Sequence, residues 1–149
     1  MDKAEVIAIL NVLLSLEQCS LARRLLEATV SVSSSFVKAL NLVQRMSHAS
    51  REHGAALVKL ILDLGGVPAP RRYPIATADL HFQNLQFVMP RLVVDLKAIV
   101  RGYTLAAQRL SDEPRALALV TRNLQQHQQD LRSLNELTPA TIRNLKSDI

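Results

Sequence analysis

Ser50-Arg51-Glu52-His53-Gly54-Ala55-Ala56-Leu57-Val58-Lys59-Leu60-Ile61-Leu62-Asp63-Leu64-Gly65-Gly66-Val67-Pro68 is the stretch that decides the fold. Leu57, Leu60, Ile61 and Leu64 recur at three and four residues, the period of one helix face. A double glycine follows and then Pro68, so the helix has a left-handed cap and a barrier to continuation. Upstream, Leu40, Val43 and Met46 continue the stripe, which places the helix over about 35–64. Between Met46 and Leu57 the inward positions turn small or polar, as Ser47, Ala49, Ser50, His53 and Gly54. Glycine in mid-helix costs up to about 1 kcal/mol relative to alanine. Gly54 therefore predicts a close approach by a neighbouring helix or a packed ring. His53 stands alone on this small face, and what surrounds it decides whether the protein does chemistry.

Working outward, a serine-rich break at 30–35 separates this helix from an earlier one over about 2–28. Ile7, Leu10, Leu13, Leu14, Leu21 and Leu25 form a wide apolar stripe there, and Glu17 falls close to it. At 1.5 Å per residue such a helix is roughly 40 Å long. After Leu64, the residues to about 78 hold Pro68, Pro70 and Pro74. A connection of that length fits a crossover running the length of a bundle, with the helices on either side parallel. The third helix is predicted over about 79–110, with a kink or interruption at 86–90 caused by Pro90. Ser111-Asp112-Glu113-Pro114 is a short turn with a capping aspartate and a proline suited to a first helical position. The fourth helix covers about 114–137, with Leu117, Val120, Leu124, His127, Leu131 and Leu134 on one face. Thr138-Pro139 then starts a short fifth helix to about Lys146.

The bulk composition agrees with this layout. The chain of 149 residues is 48% hydrophobic but only 3% aromatic, with no tryptophan, so the core is aliphatic. One domain spanning 1–149 is expected, all-α and large enough to bury its own core. The net charge of +5 comes from scattered residues, the nearest cluster being Arg71-Arg72. No arginine-rich arm or nucleic-acid motif is present, and nucleic acid is not the expected partner. Cys19 is the single cysteine, which excludes an internal disulfide and fits a reducing, cytoplasmic setting. The N-terminal apolar run is interrupted by Asn11, Glu17 and Gln18, so neither a signal peptide nor a membrane span is expected.

Two long helices, a crossover, two more long helices and a short fifth resemble the ferritin-like proteins. Leu10-Asn11-Val12-Leu13-Leu14-Ser15-Leu16-Glu17 resembles the first helix of bacterioferritins, where Leu-Asn and bulky apolar residues precede a metal-binding glutamate. His53, fifteen residues before Pro68, resembles the histidine of their first Glu-x-x-His pair. His127 resembles that of the second. The resemblance implies an antiparallel four-helix bundle with its long crossover between helices two and three. It implies Glu17, His53 and His127 as metal ligands.

The pattern also departs from that family. A di-iron centre takes a glutamate from each of two helices and Glu-x-x-His from the other two. The positions three residues before the histidines are Ser50 and Leu124, so both of those carboxylates are missing. In the third helix the only acid between 88 and 96 is Asp95, the remaining candidate ligand. The methionine position that would hold haem is Arg51, so no haem is expected. Three ligands can still hold one iron ion, since a two-histidine, one-carboxylate set is a mononuclear pattern. Tyr103 is expected to hydrogen-bond Glu17 or His127.

The expectation is thus a ferritin-like protein with an incomplete di-iron centre, a binding or assembly subunit in place of an efficient ferroxidase, and a homo-oligomer. Against it stand a mononuclear iron oxidoreductase using Glu17, His53 and His127, and a helical bundle that offers a groove to a helical partner or an apolar ligand.

Overall fold

The computed structural model describes residues 1–27, 37–70 and 85–138. Five helices form, α1 (Lys3–Gln18), α2 (Leu21–Glu27), α3 (Val37–Asp63), α4 (Leu85–Arg109) and α5 (Pro114–Leu137), with no strand among the described residues. The serine-rich break at 30–35, the Arg71-Arg72 pair, the later part of the crossover, the start of the third helix at Asp79 and the short C-terminal helix to Lys146 lie outside the described residues. The domain is all-α, and its helices pack as a bundle.

The pairings fix the helix directions. Ile7 lies against Gly66, and Glu17 meets Ser50, so α1 and α3 are antiparallel. Asp63 pairs with Arg115, and His53 with His127, so α3 and α5 are antiparallel too. Leu16 touches Gly102, and the Leu21 N–H meets Asp95, which sets α4 antiparallel to α1 and α2. Thus α3 and α4 point the same way, and their connection must travel from one end of the bundle to the other. Asn11 holds the start of that path. Its Nδ2 donates to the Val67 carbonyl and its Oδ1 accepts from the Ala69 N–H at 2.7 Å.

The core is aliphatic, as the composition requires. Leu10, Leu13 and Leu14 from α1, Leu42, Leu57 and Ile61 from α3, and Leu85, Met89, Leu92 and Leu96 from α4 are fully buried. Each contributes roughly 1.5–3 kcal/mol by leaving water. The run Lys3–Leu26 is long and apolar enough by composition alone to cross a membrane, and half of it is buried in the bundle.

Several local expectations need correction. The first helix is not continuous. It ends at Gln18, with Cys19 as its cap residue, and α2 restarts at Leu21. Asp95 from α4 accepts the freed Leu21 N–H at 2.9 Å, so a carboxylate across the bundle satisfies a donor that the break leaves open. Of the kink or interruption expected at 86–90, the interruption is absent, since α4 runs through Pro90. The proline deletes one backbone bond, a cost of about 3 kcal/mol. Burial of Pro90 with Leu85, Val88, Met89 and Leu92 outweighs that. The cap of α5 is Glu113 and not Asp112, and no side chain bonds there, while Pro114 does occupy the first turn.

Glycine use divides in the same way. Gly65 has φ +81° and closes α3 as expected. The Gly66 N–H reaches the Ile61 carbonyl and the Gly65 N–H the Leu62 carbonyl, both at 2.9 Å, which is the Schellman pairing. Gly54, however, is not a site of close approach. A Cβ there would meet Leu14 Cδ1 at an ordinary 3.7 Å. The tight contacts are at Gly66, where a Cβ would come within 2.7 Å of Ile7 Cδ1, and at Gly102, where it would come within 2.5 Å of Leu16 Cδ1.

Gly54→Ala should therefore raise stability, by up to about 1 kcal/mol through the helix propensity of alanine. Gly65→Ala should lower it by about 1–2 kcal/mol, because an L side chain is strained at positive φ. Urea unfolding followed by circular dichroism measures both as opposite shifts in midpoint at constant slope.

Candidate metal centre

The centre is built around one carboxylate. Glu17 is the penultimate residue of α1 and fully buried. A negative charge near a helix C-terminus is opposed by the helix dipole, and its burial adds a further cost. Both demand partners, and four side chains from three other helices supply them.

From α3, the Ser50 hydroxyl lies 2.7 Å from Glu17 Oε2 and 2.9 Å from the Glu17 backbone carbonyl, two acceptors that share its one hydrogen. That carbonyl is among the last of α1, and the hydroxyl serves it where the helix breaks. From α4, the Tyr103 hydroxyl donates to Oε1 at 2.8 Å. From α5, His127 Nε2 stands 2.5 Å from the same Oε1. An ionised carboxylate only accepts, so Nε2 carries the hydrogen in that contact. His53 Nδ1, again from α3, lies 3.4 Å from Oε1 and makes no hydrogen bond among the described residues. The His53 and His127 rings meet edge to face with centroids 4.7 Å apart.

Burial pushes the Glu17 carboxyl up, but the hydrogen bond of His127, the approach of His53 and the charge interactions of both rings outweigh it and bring its pKa down to about 2. Tyr103 moves the other way. Burial and then the neighbouring Glu17 charge hold the phenol well above its usual range. The phenol thus stays a donor to Glu17.

One donor atom each from Glu17, His53 and His127 lies within 4.8 Å of the other two. The structure therefore brings together three of the four residues that the sequence singles out. Asp95 is not part of this group. Its Oδ2 is committed to the Leu21 N–H, and burial pushes its carboxyl up while that bond opposes the rise. Tyr103 bonds Glu17, as its position suggested. Leu124 is half-buried and apolar.

Asn123 and Asp130 escaped the sequence reading. Asn123 Nδ2 donates to the Tyr103 oxygen at 3.3 Å, and its buried Oδ1 has no partner among the described residues. Asp130 accepts from Gln126, and its carboxyl is pushed up by burial against that bond. The signal was present in the spacing. Ala116, Val120, Asn123, His127, Asp130 and Leu134 share the inward face of α5. The conspicuous row Leu117, Leu124 and Leu131 runs beside that face, only half-buried.

His53 also connects the centre to the surface. It lines a polar groove of about 550 Å³ between α3 and α5, with Ala49, Glu52, Arg122, Gln125, Gln126 and Gln129. A different groove, apolar and about 460 Å³, lies between α1 and α4 and includes Ile9, Val12, Leu13, Leu105 and Ala106.

No protein-family model, curated protein or solved structure matches the chain. The reading of this centre accordingly stands on its geometry.

The lowered Glu17 pKa has a definite pH signature in the metal-free protein. A depressed folded-state pKa gives stability that is complete above the unfolded value and is lost as pH falls through the folded one. The window runs from 4.5 down to about 2, and the contribution is on the order of 3 kcal/mol. Glu17→Gln should abolish that part of the acid dependence. Unfolding free energies of both proteins between pH 6 and about pH 2 should converge as the pH falls, and parallel curves would refute the assignment.

Proposed function

We propose that this bundle is a ferritin-like protein that binds one divalent transition metal ion, iron in the first instance, through Glu17, His53 and His127. The observation that carries the reading is His53 Nδ1, a buried imidazole nitrogen with no hydrogen-bond partner among the described residues, 3.4 Å from a carboxylate oxygen. A lone pair facing an anionic oxygen is repulsive unless a proton or a cation lies between. Two imidazoles and one carboxylate are a set that suits iron, zinc and related ions. Three protein ligands leave further positions open.

Each residue has a role in that reading. Glu17 supplies the charge that a divalent ion requires. Ser50 and Tyr103 fix the carboxylate by binding one oxygen each, the outer support that metal ligands commonly need. His127 would bind the ion through Nε2 in the tautomer whose hydrogen sits on Nδ1. A second ion has no matching support. Ser50 and Leu124 replace the two bridging carboxylates, and Asp95 is engaged by α2. One carboxylate balances one divalent ion to a net single positive charge and leaves two strongly unbalanced. The reading is therefore of a single-ion binding protein and not of an efficient di-iron oxidase.

A second reading, self-association, is favoured by one observation. Val12 and Leu105 in the apolar groove between α1 and α4 are 59% and 54% exposed. Exposed apolar clusters of this kind mark contact surfaces. Light scattering on Val12→Lys and on the unaltered protein tests it, with a fall in particle mass as the supporting result.

The metal reading predicts one equivalent of iron(II) or cobalt(II) per chain by equilibrium dialysis and elemental analysis. Glu17→Ala and His127→Ala should each abolish uptake, and His53→Ala should weaken it by about tenfold to a hundredfold or more. The ion should raise the unfolding temperature in the unaltered protein only. Two equivalents per chain, or none, would overturn the reading.

A further inference from the structure

We propose that the polar groove between α3 and α5 binds a small dicarboxylate anion, one end on the metal ion and the other on Arg122. This rests on the metal reading above. The first argument is access. Ser50, Tyr103 and Asn123 are each at most 2% exposed, so these sides of the centre are closed. His53 is both a member of the metal set and part of the groove wall. A ligand that takes an open coordination position enters along that wall.

The second argument is charge. A divalent ion on Glu17 keeps one positive charge, and Arg122 adds another from the opposite wall. Arg122 forms no ion pair with a described residue. The acid of the groove wall, Glu52, turns back along α3, its Oε1 3.1 Å from His48 Nε2. A ligand with a carboxylate at each end places one negative charge on each of the two positive groups.

The third argument is the remaining lining. Gln125, Gln126 and Gln129 bring primary amides to the groove. Amides donate to oxygen without adding charge, so they suit a ligand whose surface is mostly acceptor. The guanidinium presents a planar fork that a carboxylate fills with two parallel hydrogen bonds. A groove of about 550 Å³ has room for a small diacid.

The test uses the full chain loaded with cobalt(II), whose visible absorption reports its coordination, and succinate, a weak chelator whose two carboxylates can reach separate sites, as the probe. Succinate should change the cobalt spectrum in a saturable way with the cobalt still bound to the protein. Arg122→Ala should weaken succinate binding by about tenfold or more while cobalt affinity stays unchanged. Arg122→Lys should restore part of it, and Arg109→Ala, which alters the apolar groove on another face, should behave as the unaltered protein. Equal succinate affinity in Arg122→Ala, or no spectral change on adding succinate, would overturn the proposal and leave the metal reading standing. Failure of cobalt to bind at all would overturn both.

Discussion

A single buried carboxylate constrains this bundle. Glu17 sits in an aliphatic core, at the end of a helix whose dipole opposes it. Its transfer from water would be prohibitive without partners. Ser50, Tyr103, His127 and His53 are those partners, and they come from α3, α4 and α5. Each must be in register for the carboxylate to be satisfied. A slide of α5 by one turn would replace His127 by Asn123 or by the acidic Asp130. The aliphatic contacts supply most of the stabilisation, but they are non-directional, and leucine rows tolerate sliding. The hydrogen bonds to Glu17 specify one alignment among several that the leucines would accept.

The same constraint explains the broken first helix. A continuous helix from residue 2 to residue 28 would keep the carbonyl of Glu17 in its own ladder. The break at Cys19 and Ser20 releases it, and the Ser50 hydroxyl then serves carbonyl and carboxylate together. On the far side of the break, Asp95 takes the Leu21 N–H. Two acidic residues that the sequence offers together as metal ligands thus have different uses. One lies at the centre, and the other holds the next helix in place.

The architecture was legible because it depends on periodicity and punctuation. Leucines at three and four residues, the Gly65-Gly66-Val67-Pro68 stop and the proline-rich connection each state a local rule, and together they imply parallel third and second long helices. The three-member cluster was legible through a resemblance, since Glu17, His53 and His127 fall where ferritin-like helices carry metal ligands. What escaped depends on tertiary context. Pro90 lies in a run whose burial outweighs one missing bond. Gly54 signals crowding by its type, yet the crowded glycines are Gly66 and Gly102, pressed by Ile7 and Leu16 from a distant part of the chain. Asn123 and Asp130 were hidden by a leucine row one position away, since hydrophobicity drew attention to the half-buried side of α5. Ser50 was legible as an absence, a missing glutamate. Its hydroxyl in fact occupies that place with a bond to Glu17.

Glu17 and His127 are separated by 110 residues. Their contact therefore closes almost the whole chain into one loop, with a loop entropy that nearer pairs avoid. The α4–α5 hairpin has local contacts and can form early, and the α1–α3 pair can follow its own route. Neither contains the cluster. During synthesis the chain emerges from its N-terminus, so Glu17 and His53 are made long before His127. The centre is completed only once α5 has been made and docked. Its assembly is thus a late event that reports the finished fold, and a truncated or half-made chain has no such centre to fill.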